Sequence, residues 1–201
     1  MSTRGHLPSC DASVHHWVLA HRNHGMVRVA IVVTDSGTGW AAYTLAAAAG
    51  ALADRHRRWR GLLAAVAVLA AGQGVRITVA ALIGRARPPS ADWAWHASGP
   101  AMPSGHTTTS AIVAALLTVA LARSLKGRRM RLPLCCLPVL WALCVGASRV
   151  YLGMHWPGDV VAGWLLATAW TTLLAALPLW LGRRRQRFTP ITSSQLQGRT
   201  T

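Results

Sequence analysis

Long apolar blocks punctuated by runs of arginine leave this chain few folds to adopt. Residues 61–83 form an apolar run in which Arg76 is the sole charge. As a helix it would span about 34 Å, enough to cross the roughly 30 Å hydrocarbon core of a bilayer. Similar blocks occupy 107–122, 132–147 and 160–181, the second of these expected to be broken up by Pro133 and Pro138. A first block, 30–53, is interrupted by Thr34, Asp35, Ser36 and Gly37, so its dependable core is 39–53. Lipid offers backbone groups no hydrogen-bond partner, so such blocks must be helices. The expectation is an all-α, polytopic membrane helix bundle of about five transmembrane helices. It comprises a polar, interfacial segment (1–29), a transmembrane domain (30–182) and a basic, disordered cytoplasmic tail (183–201).

Charge orients the bundle. The chain carries 21 Lys+Arg against 5 Asp+Glu. Such an excess could serve nucleic acid, but no zinc-finger, helix-turn-helix or aromatic-basic RNA-binding pattern is present, and no nucleic-acid partner is expected. The basic runs 54–60, 123–131 and 183–187 follow alternate blocks, and loops rich in Lys and Arg stay cytoplasmic. Stretches 84–105 and 148–159 therefore share the extracytoplasmic face with residues 1–29. Trp93, Trp95, Trp156 and Trp180 fit membrane boundaries. Residues 1–29 lack the basic-then-apolar architecture of a signal peptide. Their histidines, His6, His15, His16, His21 and His24, are too irregularly spaced for a metal tract. Cys10, Cys135, Cys136 and Cys144 show no metal or redox spacing, and the last three read as small core residues.

Three patches meet on the outer face. In 148–159, Pro157 suits the first turn of a helix. Asp159 in that turn can reach back to the His155 ring and determine which imidazole nitrogen is free, while Arg149 supplies a permanent charge. Taken alone, the stretch also fits an ordinary loop with a solvated His and Asp. A helix beginning in 103–106 would aim free N–H groups and its positive dipole end outward, and Gly105 permits close approach of a phosphate oxygen. His106 adds a proton donor, and Arg87 with Pro88 closes the second helix. Two histidines, two arginines and a helix N-terminus outside a membrane suit phosphoryl transfer without a metal.

These motifs resemble those of the type 2 phosphatidic acid phosphatase (PAP2) superfamily of integral-membrane lipid phosphatases. That pattern is Lys, six residues, Arg-Pro; then Pro-Ser-Gly-His; then Ser-Arg, five residues, His, three residues, Asp. The second and third motifs are intact at 103–106 and 148–159, within a resemblance covering roughly 30–182. Soluble vanadium haloperoxidases share the constellation but not the membrane spans. The resemblance implies that His155 attacks phosphorus and forms a phosphohistidine, with Asp159 holding its ring. It implies that His106 protonates the leaving oxygen and then activates water. Arg87, Arg149, Ser104 and the Gly105 amide would bind the phosphoryl oxygens, with Ser148 shaping the pocket. No metal and no cofactor are implied. The partners would be the bilayer and a lipid phosphate, phosphatidate-like or an isoprenoid diphosphate.

The first motif departs from the pattern: Ala80 stands where the family has lysine. A charge-assisted contact to phosphate is worth about 1.5–3 kcal/mol. Arg76, one helical turn earlier on the same face, is a stand-in, unless it pairs with Gln73 or a backbone carbonyl. Arg85 is the other choice, but on a continuing helix it would point to a different side from Arg87. The family usually has six spans, and the expectation here is five, without the first: either the amino terminus lies outside or the start is incomplete. The loss of the lysine motivates a competing reading, a non-catalytic relative that binds phospholipid. A small transporter would need polar residues along a continuous path, whereas these gather at one face.

Overall fold

The computed structural model of the protein describes residues 9–187. Its elements are α1 (Ser9–His21), α2 (His24–Ser36), α3 (Gly39–Ala53), α4 (Arg58–Ile83), a 3-10 turn (Ser90–Asp92), α5 (Gly105–Ser124), α6 (Arg128–Tyr151) and α7 (Pro157–Arg187), with no strand among the described residues. A first compact unit ends at Thr168; from Ala169 onward the remainder of α7 belongs to a second, where Leu173 and Leu177 are exposed. Residues 1–8 and 188–201, parts of the interfacial segment and basic tail expected from sequence, lie outside the described residues, as does the Trp180 side chain.

Among the described residues, four helical segments are long and apolar enough to cross a bilayer: Arg58–Ile83, Gly105–Ser124, Arg129–Tyr151 and Pro157–Leu177. The other expected span is shorter: α3 has 15 residues, about 22 Å of helix. Gly37 and Thr38 separate it from α2. The polar interruption that marks this break has a packing role. Trp141 Nε1 on α6 donates to Ser36 Oγ at 2.9 Å, and a Cβ on Gly37 would lie 2.5 Å from Val145 Cγ1. Upstream, the segment expected to be merely polar forms α1 and the start of α2. Asn23 caps α2, its Oδ1 accepting from the Met26 N–H at 2.9 Å.

Two further expectations are corrected. α6 runs unbroken through Pro133 and Pro138, because in a membrane helix neighbouring groups satisfy the carbonyls that a proline frees. Thr118 Oγ1 of α5 donates to the Cys135 carbonyl at 3.3 Å, beside the Leu134 carbonyl that Pro138 deprives of its helical donor. Cys136 and Cys144 are exposed rather than core residues. They share the outside of α6 with Leu137, Leu140 and Leu143, and similar exposed residues, Leu63, Ile77 and Leu82, line α4. On helices of this length an apolar exterior is the surface that faces lipid.

α5 is the inner helix, packing on α3, α4 and α6. Its buried polar residues, Thr107, Thr108, Thr109 and Ser110, are small enough for neighbouring backbones to approach closely. At one end of the bundle the loop after α4 joins the ends of α5, α6 and α7. Ala94 N–H donates to the Leu152 carbonyl (2.9 Å) and Ser104 N–H to the Asp159 carbonyl (3.0 Å), and Trp156 Nε1 donates to the Ala86 carbonyl (3.1 Å). Leu152 and Met154, fully buried, pack against Trp93 and Trp95. These tryptophans thus make a loop core, and Trp156, 6% exposed, is no boundary anchor.

The tightest helix contact is between α3 and α4, where a Cβ on Gly50 would collide with the backbone carbonyl of Gly61. Gly50→Ala should therefore lower the thermal midpoint in detergent, by the equivalent of about 1–3 kcal/mol. Gly74→Ala, whose Cβ meets nothing within 4 Å, should leave it unchanged or raise it by up to about 1 kcal/mol.

Candidate active site

Pro157 opens α7, which puts Asp159 in the first turn and His155 just before it. Asp159 is fully buried, and such a carboxylate is stable only when donors surround it. Its Oδ2 accepts the Trp156 N–H at 2.9 Å and lies 3.3 Å from His155 Nδ1. Its Oδ1 accepts from Arg85 Nη1 at 2.8 Å.

The far nitrogen of His155, Nε2, lies 2.8 Å from Arg87 Nη1. A guanidinium can only donate, so Nε2 is the acceptor and the ring proton resides on Nδ1, facing Asp159. Burial pushes the His155 pKa down to about 4; the hydrogen bond to Asp159 opposes that shift, and the Arg87 and Arg149 charges add to it. The imidazole is thus a free base with one defined lone pair. Arg87 is itself held by backbone carbonyls, Nε donating to Gly99 (2.9 Å), Nη2 to Ser98 (2.8 Å) and Nη1 to Met154 (2.9 Å). Burial lowers its pKa, with Asp159 opposing the shift and Arg76 adding to it. It sits in the loop, not at a helix end, since α4 stops at Ile83 with Gly84 in the left-handed conformation (φ 61°).

α5 begins at Gly105, after a cis Met102–Pro103 bond. Ser104 precedes it without a side-chain capping bond; its Oγ accepts from Thr107 Oγ1 at 3.0 Å. The first amides of α5 therefore lack the side-chain cap that would occupy them, which suits an anion. A Cβ on Gly105 would lie 3.4 Å from Arg76 Cζ and 3.6 Å from both terminal nitrogens, so the Arg76 guanidinium covers the start of α5. Arg76 Nε is buried without a partner, and Ala80, 2% exposed, carries no charge to replace the family's lysine. His106 lies within electrostatic range of Arg149, His155 and Arg87.

His155, Asp159, His106, Arg87, Ser104, Gly105 and Arg76 thus gather at one end of the bundle. Two expected residues are engaged elsewhere. The Ser148 hydroxyl donates to the Val145 carbonyl at 2.7 Å. Arg149, 1% exposed, donates from Nη1 to Thr34 Oγ1 at 3.0 Å, and its Nε has no partner. The polar break near residue 34 therefore supplies the acceptor for a buried arginine.

Sequence reasoning missed a second set of residues. Arg85 joins Asp159 to Asp11 of α1, with Nη2 to Asp11 Oδ2 at 2.6 Å. Both Arg85 and Arg87 lie past the end of α4, Arg85 on the Asp159 carboxylate and Arg87 on the His155 ring. His15 Nε2 lies 3.0 Å from Asp92 Oδ2, and its ring stands 5.1 Å from that of Trp156. One signal could have found Asp11: with 5 acidic residues in 201, each acid is a scarce counter-charge.

A PAP2 superfamily model matches residues 60–183, more than half of the chain. The chain belongs to the PAP2 superfamily. It is similar to phosphatidylglycerophosphatase B of Escherichia coli, 44% identical over 87 residues, 43% of this chain and 31% of that one. It is also similar to the decaprenylphosphoryl-5-phosphoribose phosphatase of Mycobacterium tuberculosis, 29% identical over 142 residues, 69% of this chain and 73% of that one. Among solved structures, a transmembrane PAP2-type phosphatidylglycerolphosphate phosphatase from Bacillus subtilis matches with a TM-score of 0.72 and 26% identity, covering 82% of this chain and 84% of that one. The transmembrane PAP2 fold expected from the motifs is the one observed.

Thr34→Val, nearly isosteric, would remove the acceptor of buried Arg149. It should cost this PAP2 protein about 1.5–3 kcal/mol, read as a lower thermal midpoint in detergent. Thr44→Val, at an exposed site where the hydroxyl bonds its own helix, should stay within about 0.5 kcal/mol of the parent.

Proposed function

We propose that this protein is a metal-independent lipid phosphatase that hydrolyses a phosphomonoester or diphosphate of a membrane lipid at the extracytoplasmic face. The observation that carries the reading is the His155 imidazole, its Nδ1 facing Asp159 and its Nε2 lone pair against Arg87. A substrate phosphoryl group would take over the Arg87 donor and expose that lone pair to phosphorus. Nε2 then forms a bond to phosphorus as the bond to the lipid oxygen breaks, and His106 gives that oxygen a proton. Water, losing a proton to His106, next cleaves the phosphorus–nitrogen bond and releases phosphate. The α5 amides, Ser104 and Arg87 balance the charge on the phosphoryl oxygens, and the charge of Arg149, whose Nη1 is held by Thr34, adds at longer range.

Arg76 supports activity in spite of Ala80. Its guanidinium covers Gly105, and no hydrogen bond to Gln73 or to a carbonyl engages it among the described residues. We assign it the role of the missing lysine, which weakens the alternative of a non-catalytic phospholipid binder. A lipid substrate fits a cavity of about 550 Å³ between α1, α2, α6 and α7, walled by Val14, Val29, Val33, Val160 and Trp164. Ser148 and Pro157, which flank the catalytic stretch, reach its edge. The relatives' names point to glycerophospholipid and polyprenyl phosphates. The basic stretches at the start of α4 and between α5 and α6 lie at the helix ends opposite the site, and the preference of such loops for the cytoplasm supports an extracytoplasmic site.

Purified protein in EDTA should release phosphate from a short-chain lipid phosphate; release no greater than that of His155→Ala would refute the enzyme. Because His155 must be unprotonated to attack, the acid limb of kcat/KM that its protonation sets should appear only as pH falls to about 4. An acid limb near 6.5 would show an ordinary, solvated histidine. Arg76→Ala should lower kcat/KM about 10- to 100-fold, and Ala80→Lys should restore part of the loss. Full activity in Arg76→Ala would return that residue to a structural role.

A further inference from the structure

We propose that Asp11, on α1, is a positioning residue of this site: by sharing Arg85 with Asp159 it leaves the Asp159 carboxylate its negative charge for His155. The three side chains form one buried chain of charge, 3%, 16% and 0% exposed for Asp11, Arg85 and Asp159. Arg85 alone would neutralise Asp159 and leave the pair with no net charge to offset an imidazolium. With Asp11 the three groups carry a net single negative charge, which opposes imidazolium formation far less in a poorly solvated interior.

A second contact acts on geometry. Asp11 Oδ1 accepts the Gly158 N–H at 2.8 Å, so α1 holds the residue immediately before Asp159. This approach depends on glycine, since a Cβ on Gly158 would lie 3.0 Å from Asp11 Oδ2 and 3.2 Å from Arg85 Nη1. One turn along α1, His15 pairs with Asp92 and packs on Trp156, the neighbour of His155. α1 therefore grips the α7 start at two points. A helix whose sequence reads as a polar interfacial lead is a wall of the catalytic centre.

The groups whose charge bears directly on His155 are Asp159 on α7, Arg87 in the loop after α4 and Arg149 on α6, and His155 in turn acts on His106 of α5; Arg85 touches its partner Asp159. Asp11 reaches it through Arg85. Asp11→Asn retains size and an oxygen acceptor but removes the charge; Arg85→Gln removes the cation.

The inference rests on the phosphatase reading, yet it is testable without turnover by following the His155 ring through an NMR titration of labelled protein in detergent. Asp11→Asn should lower the His155 midpoint and Arg85→Gln should raise it. Opposite shifts are a signature that loosening of the fold would not produce. Midpoints unchanged in both variants, or displaced in the same direction, would overturn the proposal. In turnover, Asp11→Asn should lower kcat about tenfold with KM within about twofold, whereas parental kcat would also overturn it. A parent protein that releases no phosphate would defeat the phosphatase reading and leave the titration to decide the role of Asp11.

Discussion

A carboxylate with no solvent exposure, deep in an apolar bundle, must be surrounded by donors or be lost as a charge. Asp159 is that group, and much of that end of the bundle is arranged to satisfy it. The Trp156 amide, the His155 ring and Arg85 converge on its two oxygens. Each partner commits a different element. Trp156 ties the α7 start to the loop after α4 through the Ala86 carbonyl, and Arg85 brings in α1 through Asp11. The Asp159 carbonyl, in turn, accepts from Ser104, which places the start of α5. A single buried charge thereby sets the mutual positions of the histidine, the helix N-terminus and the arginines.

Much of this was legible in the sequence, where the relevant physics is local. His155 and Asp159 are one turn apart around a proline that begins a helix, and that spacing alone brings ring and carboxylate together. The long apolar blocks became helices because lipid permits little else, and even the short core 39–53 corresponds to α3. What sequence reasoning missed depends on contacts between distant residues. Asp11 and Arg85 are 74 positions apart, as are Arg85 and Asp159, and no periodicity links them. Thr34 marked an interruption whose purpose, holding Arg149, lies 115 residues away. The prolines of α6 misled for a related reason: a helix-breaking rule from water weakens where neighbouring helices supply the missing partners.

On the proposed reading, the charge of the absent first-motif lysine is supplied by position rather than by identity. Ala80 is buried and apolar, while the Arg76 guanidinium covers Gly105 from one turn earlier. Arginine has the reach for this and stays charged where a lysine would more readily shed its proton. Arg76 and Arg87, close enough to lower the latter's proton affinity, repel one another while the site is empty. An anionic headgroup between them would relieve that repulsion. The same electrostatics that makes the empty site costly thus favours a phosphate within it.

The most direct test is to trap the covalent enzyme. Purified protein mixed with a lipid phosphate labelled on phosphorus should, when quenched with base early in turnover, carry label that is alkali-stable, acid-labile and confined to the peptide containing His155. Label on another residue, or none during demonstrable turnover, would contradict a mechanism in which Asp159 holds His155 for attack.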